Sequence, residues 1–174
     1  MSNQKRVLVI IDHEFEDLET WYPVLRLREA GVHVDVAAPK KGETYIGKYG
    51  VPIVADKAYE ECAAAEYDGY YVTGGWAPDK MRRVPHVLQM TRDFHEAGKA
   101  IGHICHGGWV LISAGICRGY TMTSTPGIKD DLTNAGATWI DQESVVDRHI
   151  ISGRRPPDLP AFMIDFLKVL NQKN

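Results

Sequence analysis

Apolar residues recur along this chain with two periods, continuous short runs and helical stripes, and the two alternate. Val7 to Asp12 is an unbroken apolar run ending in an acid, the pattern of a strand covered on both faces. Residues 17–30 read as a helix whose apolar stripe is Leu18, Trp21, Tyr22, Leu25 and Leu27, with Gly31 ending it. Val32 to Ala38 returns as a second strand, and residues 43–55 read as a hairpin with Gly47 and Gly50 in or near its turn. Gly69 to Thr73 is a third core strand, broken by Gly74-Gly75, and residues 85–97 form a helix stopped by Gly98. Ala100 to Ile104 is a fourth core strand, followed by a helix over 107–114 that Gly115 closes. Short strands near 120–123, 137–140, 144–147 and 149–152 surround a helix near 128–135. An amphipathic helix over 158–171, with Phe162, Phe166, Leu167 and Leu170, comes last.

Strand and helix units of this length in alternation predict an α/β fold, a doubly wound and mainly parallel sheet with helices on both faces. No repeat, low-complexity tract or linker interrupts it, so residues 1–174 are expected to form one domain. In such sheets ligands bind beyond the carboxyl ends of the strands. Three segments fall there: Asp12 to Glu16, Gly74 to Asp79, and Cys105 to Gly108.

Composition narrows the function. A chain of 174 residues with 44% hydrophobic and 25% charged residues is long enough to bury a core without disulfides or metal. The net charge of -3 and the lack of a basic block argue against nucleic acid as a partner. No apolar stretch approaches the roughly 20 residues that span a bilayer, and the first apolar run is too short for a signal-peptide core. A cytoplasmic address without membrane partners is the expectation. Three cysteines, Cys62, Cys105 and Cys117, argue against a disulfide framework and leave room for a reactive thiol. No His/Cys/Asp spacing suggests zinc, and no Gly-x-Gly-x-x-Gly follows the first strand.

The chemistry centres on Gly102-His103-Ile104-Cys105-His106-Gly107-Gly108. A strand that ends at Ile104 and a helix that begins near Gly107 make a sharp turn that would expose Cys105 above the sheet on strained backbone. A helix N-terminus beneath the thiol favours thiolate, so a lowered pKa is expected there. His106 is a candidate base if the turn swings its ring toward the sulfur. Backbone N–H groups of Gly74-Gly75 could hold an oxyanion beside Cys105. Glu14, Glu16, Asp17 and Glu19 crowd the first helical turn, mostly as solvated acids that favour the helix dipole, while one could reach the thiol; spacing does not choose which.

Asp12-His13-Glu14-Phe15-Glu16-Asp17, Gly74-Gly75-Trp76-Ala77-Pro78-Asp79, Ile104-Cys105-His106-Gly107 and Thr125-Pro126-Gly127-Ile128-Lys129-Asp130-Asp131 together resemble the PfpI family of intracellular cysteine peptidases, within the ThiJ/PfpI superfamily. The resemblance runs in order over nearly the whole chain. It implies a flavodoxin-like fold, similar to class I glutamine amidotransferases, and no cofactor. It also implies that Cys105 is the nucleophile, His106 its partner, Glu16 the acid at the thiol, and Gly74 and Gly75 the oxyanion site. Asp79 stands where the family has an acid, usually Glu, that orients the His of a neighbouring subunit; a homo-oligomer, dimer or hexamer, follows. Trp76, His103 and Trp109 depart from the family pattern and are candidates for the substrate pocket.

The resulting expectation is a cysteine-dependent hydrolase or lyase acting on a peptide or a small carbonyl compound, with peptidase, glyoxalase and deglycase chemistries all placing an electrophilic carbon over the thiolate. The competing class is a stress-response redox sensor in which Cys105 is oxidised.

Overall fold

The computed structural model describes residues 4–172. Its element order is β1 (Arg6–Ile10), α1 (Asp17–Glu29), β2 (His33–Ala38), β3 (Thr44–Ile46), β4 (Pro52–Val54), β5 (Lys57–Ala58), β6 (Gly69–Val72), α2 (Ala77–Met81), α3 (Pro85–Glu96), β7 (Ala100–Ile104), α4 (Gly108–Ala114), β8 (Thr121–Met122), α5 (Lys129–Asn134), β9 (Thr138–Trp139), β10 (Ser144–Asp147), β11 (Ile150–Gly153) and α6 (Leu159–Asn171). Seven strands form one sheet in the order β10-β11-β7-β6-β1-β2-β5, parallel throughout except for the β10–β11 pair. The doubly wound α/β architecture anticipated from the apolar rhythm is therefore present, and the short β5 is the one sheet strand it did not predict.

From β1 the chain moves outward to β2 on one side and returns through β6 on the other. The chain thus leaves β1 and β6 toward opposite sides of the sheet, and a crevice is expected at the carboxyl ends of strands at such a reversal. Strand-face alternation divides the core. Tyr70 stacks on Phe94 of α3, while Tyr71 meets Phe162 and Phe166 of α6. Val7 to Ile11 are fully buried, as a strand covered on both faces must be.

Helix α1 departs from its predicted stripe. Leu18 and Leu25 are 59% and 57% exposed, whereas Asp17, Glu19, Thr20, Pro23, Val24 and Leu27 are buried. The inward polar groups have partners that simple amphipathicity cannot anticipate. Asp17 accepts from the backbone N–H of Tyr49 and Val51 (both 2.8 Å) and so ties the β3–β4 hairpin to the helix. Thr20 shares a hydrogen bond with Thr73. Pro23 has no N–H to give to the carbonyl of Glu19, and the Tyr71 hydroxyl donates to that carbonyl instead.

Close packing fixes one glycine on the α6 side of the sheet. A Cβ on Gly102 would lie 2.7 Å from Phe166 Cδ2 and 2.9 Å from Phe162 Cζ, whereas one on Gly127 would meet nothing within 4 Å. Gly102→Ala is expected to destabilise the fold by about 1–3 kcal/mol through overpacking, and Gly127→Ala to stay within about 0.5 kcal/mol of the parent. Thermal unfolding of both variants would check this; equal midpoints would refute tight β7–α6 packing.

Candidate active site

The three loops anticipated at the crevice do meet there. Glu16 N–H donates to the Gly74 carbonyl (3.2 Å), Trp76 N–H donates to the Glu14 carbonyl (2.8 Å), and Phe15 bridges Gly75. Beside them β7 ends and the chain turns sharply through Cys105, whose φ of 57° places a non-glycine residue in the left-handed region. The turn aims the thiol at the crevice and brings His106 Nδ1 to 3.3 Å from Cys105 Sγ, so adjacent residues form a thiol–imidazole pair. The backbone N–H groups of Gly75 and His106 lie at the sulfur, where they favour its thiolate. Gly75 reaches this position with a φ of 75°, and any side chain there would strike the backbone of Glu14 and Glu16.

The acid at the thiol is Glu19, where Glu16 was expected. Glu16 is the N-cap of α1: its Oε2 accepts from Glu19 N–H at 2.7 Å. One turn further on, Glu19 is wholly buried and its carboxyl interacts with the Cys105 thiol. Its two oxygens have no conventional hydrogen-bond partner among the described residues. Gly74 makes room for it, since a Cβ there would sit 1.9 Å from Glu19 Oε2 and 2.8 Å from Cys105 Cβ. The expectation of solvated acids in this turn also fails for Glu16 and Asp17, both buried; Glu14 alone is exposed, and it pairs with Lys80 at 2.6 Å.

Burial raises the Glu19 pKa to about 8, with the negative charge of Glu16 adding to the effect. Burial and the charge of an ionised Glu19 push the Cys105 thiol up to about 12, against the two backbone N–H donors that favour thiolate. The lowered thiol pKa expected from the helix terminus is thus corrected: α4 has only seven residues, and desolvation beside a carboxyl outweighs its dipole. The two groups can carry one negative charge between them but resist a second. Near neutrality Glu19 keeps a proton, and a thiolate beside a neutral carboxyl escapes the charge repulsion. His106 is pushed below its ordinary value by burial and by Lys48, with Asp131 acting in the opposite sense, so its ring is neutral and able to take a proton.

Trp76 and Trp109 both pack on His106, with ring centroids 5.0 and 4.8 Å away, which places these two pocket candidates at the crevice. His103 is corrected: it has no exposure and lies beneath α4, with its ring near Gly108, so it lines no substrate surface. Both its nitrogens are buried without partners, and desolvation lowers its pKa to about 4. Asp79 is exposed and bound to Arg83 at 3.0 Å; the acid acting on His106 within the chain is Asp131, which also accepts from Trp109 Nε1 (2.8 Å). Spacing left Glu19 open among four acids and the resemblance pointed to Glu16 instead, while Asp131 and Lys48 were missed. For Glu19 the available signal was its place one turn beyond an N-capping acid. Cys62 and Cys117 are buried, with burial raising both thiols. Among the described residues no cluster of three or more His, Cys, Asp or Glu side chains could hold a metal, and no helix is long and apolar enough to cross a membrane.

A half-buried thiol on an αL turn, with an imidazole, a protonated acid and paired N–H donors around it, defines a cysteine-dependent enzyme of hydrolase type. Residues 5–169 match the DJ-1/PfpI family model, and the chain belongs to that family. It is 44% identical over 165 residues to a deglycase of Pyrococcus abyssi, covering 95% of this chain and 99% of that one. It is 40% identical over 168 residues to protein/nucleic acid deglycase 2 of Escherichia coli, covering 95% and 98%. Among solved structures, it superposes with a TM-score of 0.94 and 38% identity on a two-domain protein of Anabaena variabilis with DJ-1/ThiJ/PfpI-like and ferritin-like domains. That match spans 96% of this chain and 48% of the other.

Glu19→Gln should shift the pH profile of Cys105 alkylation down by about one unit or more, because no buried anion then opposes the thiolate. Glu16→Gln removes only a secondary charge near Glu19, so it should move the profile much less than Glu19→Gln and cost about 1 kcal/mol as a weakened cap. In the parent, a Glu19 pKa raised from 4.5 to about 8 contributes stability that is fully present below pH 4.5 and is lost as pH rises through about 8. Glu19→Gln should flatten that decline. Mass-spectrometric alkylation rates and unfolding midpoints from pH 5 to 9 check both; identical curves for Glu16→Gln and Glu19→Gln would return the thiol's acid to doubt.

Proposed function

We propose that this protein is a thiol-dependent deglycase-like hydrolase, acting on carbonyl-derived adducts of amines. The observation that carries this reading is the Cys105 sulfur held at 3.3 Å from the neutral His106 ring beside buried Glu19. The names of the relatives, both deglycases, support the substrate class. In the reaction His106 takes the Cys105 proton, Sγ bonds to the electrophilic carbon of an aminocarbinol, and the carbon–nitrogen bond breaks. The amine leaves with the proton that His106 carried. Water, giving its proton to His106, then takes the place of the sulfur on that carbon; the carbon–sulfur bond breaks, the carbonyl compound leaves as its hydrate, and the proton returns to Cys105, so the dyad ends as neutral thiol and imidazole. Gly75 and His106 N–H groups, already aimed at the sulfur, would stabilise oxyanion character at the neighbouring carbon. Glu19 keeps the thiolate from facing a second buried anion. The two indoles packed on His106 favour a small substrate over a folded protein chain in the crevice.

Release of amine from a methylglyoxal–amine adduct should be measurable with the parent protein and fall by at least about a thousand-fold in Cys105→Ala. Cleavage of casein without amine release would replace this reading with a peptidase. Selective peroxide oxidation of Cys105 without turnover of either substrate would replace it with a redox sensor.

Assembly belongs to the same proposal. Asp79 is exposed and pairs with Arg83, and exposed Leu18, Leu25, Tyr49 and Trp76 offer apolar surface for a second copy. A homo-oligomer in which Asp79 orients a neighbour's His106 fits these facts. Light scattering should give a mass of at least a dimer at micromolar concentration. Mixing Cys105→Ala with Asp79→Ala subunits should then restore partial activity; confirmed subunit exchange without recovery would exclude a shared site.

A further inference from the structure

The aromatic wall of the active site continues past the imidazole. Trp109 packs on His106 at 4.8 Å, and the Arg82 guanidinium lies over the Trp109 ring at 5.5 Å. Beyond the indole opens a groove of about 600 Å³ between α2, α4 and α5, lined by Arg82, Trp109, Ile112, Arg118, Asp131 and Asn134 among others. Two cations face it. Among the described residues the Arg82 side chain makes one hydrogen bond, Nε to Ser113 Oγ at 2.8 Å, and none from its terminal nitrogens. Arg118 is exposed and has no carboxylate partner among the described residues. The one acid at the groove, Asp131, has its Oδ2 occupied by Trp109 Nε1. The groove therefore holds an excess of positive charge, separated from the reacting sulfur by one imidazole and one indole.

We propose that this groove is a subsite for an oxyanion, a carboxylate or phosphate carried by a flat substrate whose electrophilic carbon lies at Cys105. A planar group would stack along Trp109, and the anion beyond it would meet Arg82 and Arg118, whose forked donors suit both oxyanions. The proposal deepens the thiol-dependent reading above and rests on it for the position of the reacting carbon. It distinguishes this chain from a general scavenger of neutral carbonyls: the Cys105 pair supplies the chemistry, and the two arginines select substrates by their charge at a fixed distance.

Affinity labelling tests it without requiring turnover. The rate of Cys105 alkylation is measured by mass spectrometry with N-phenyliodoacetamide and with its 4-carboxy and 4-phosphono derivatives. At low salt the anionic probes should react about ten-fold faster than the neutral one. That ratio should fall toward one in Arg118→Ala and in Arg82→Gln, and below one in Arg118→Glu. Expressing the result as a ratio cancels any general change in thiol reactivity. Which anionic probe reacts faster distinguishes carboxylate from phosphate substrates. Equal rates in the parent, or a preference untouched by both arginine substitutions, would overturn the subsite. Calorimetric titration of Cys105→Ala protein with phenyl phosphate and with benzoate reads the groove alone. Binding that Arg118→Glu abolishes supports the proposal, and no binding of either overturns it. Inertness of Cys105 to all three probes would instead count against the thiol chemistry, leaving that titration to decide the groove.

Discussion

A carboxyl and a thiol buried against each other can hold one negative charge between them but not two, and the geometry of this crevice follows from that constraint. The pair needs space, and Gly74 supplies it by carrying no side chain where Glu19 and Cys105 both press. It needs donors for whichever group is ionised, and the Gly75 and His106 amides supply them at the sulfur. It also needs a neutral base nearby rather than a second cation-seeking acid, and burial keeps His106 uncharged. The strained backbone at Cys105 is stabilised by this surrounding structure, because only that turn faces the sulfur toward the acid, the ring and the amides together.

The sheet serves the same end. Its order reverses between β1 and β6, and the loops after these two strands meet at their carboxyl ends beside the elbow that β7, the next strand, delivers. Each neighbour of the sulfur comes from a different part of the chain: Glu19 from the first helix, Gly75 from the third core strand, Cys105 and His106 from the fourth. Small errors in their mutual placement are resisted by backbone hydrogen bonds between the loops themselves, notably Glu16 to Gly74 and Trp76 to Glu14.

Most of the fold was legible because strands buried on both faces announce themselves as apolar runs. The nucleophile was legible because few contexts place Cys-His-Gly at the end of such a run. What was not legible depends on contacts between distant segments. Leu18 and Leu25 appeared to form the inner stripe of α1, yet the helix turns a polar set inward because the hairpin amides, Thr73 and the thiol supply partners for it. Glu16 and Glu19 lie three residues apart on one helix face, and only the cap geometry separates their roles. His103 was read as lining the crevice, but strand alternation carries its ring beneath α4, where it has no polar partner.

The substitution of a tyrosine hydroxyl for a missing helix bond at Pro23 has a mechanical meaning. The first turn of α1, which bears Glu19, is fastened through Tyr71 to the central sheet, while one rung of the ladder joining it to the rest of its own helix is absent. A missing rung of this kind loosens the link between the two halves of a helix. Motion or sequence drift on the exposed face of the second half, around Leu25 and Arg28, is therefore transmitted more weakly to the carboxyl at the thiol. The helix surface is free to be remodelled, for a new partner or a new neighbour, without retuning the chemistry beneath it.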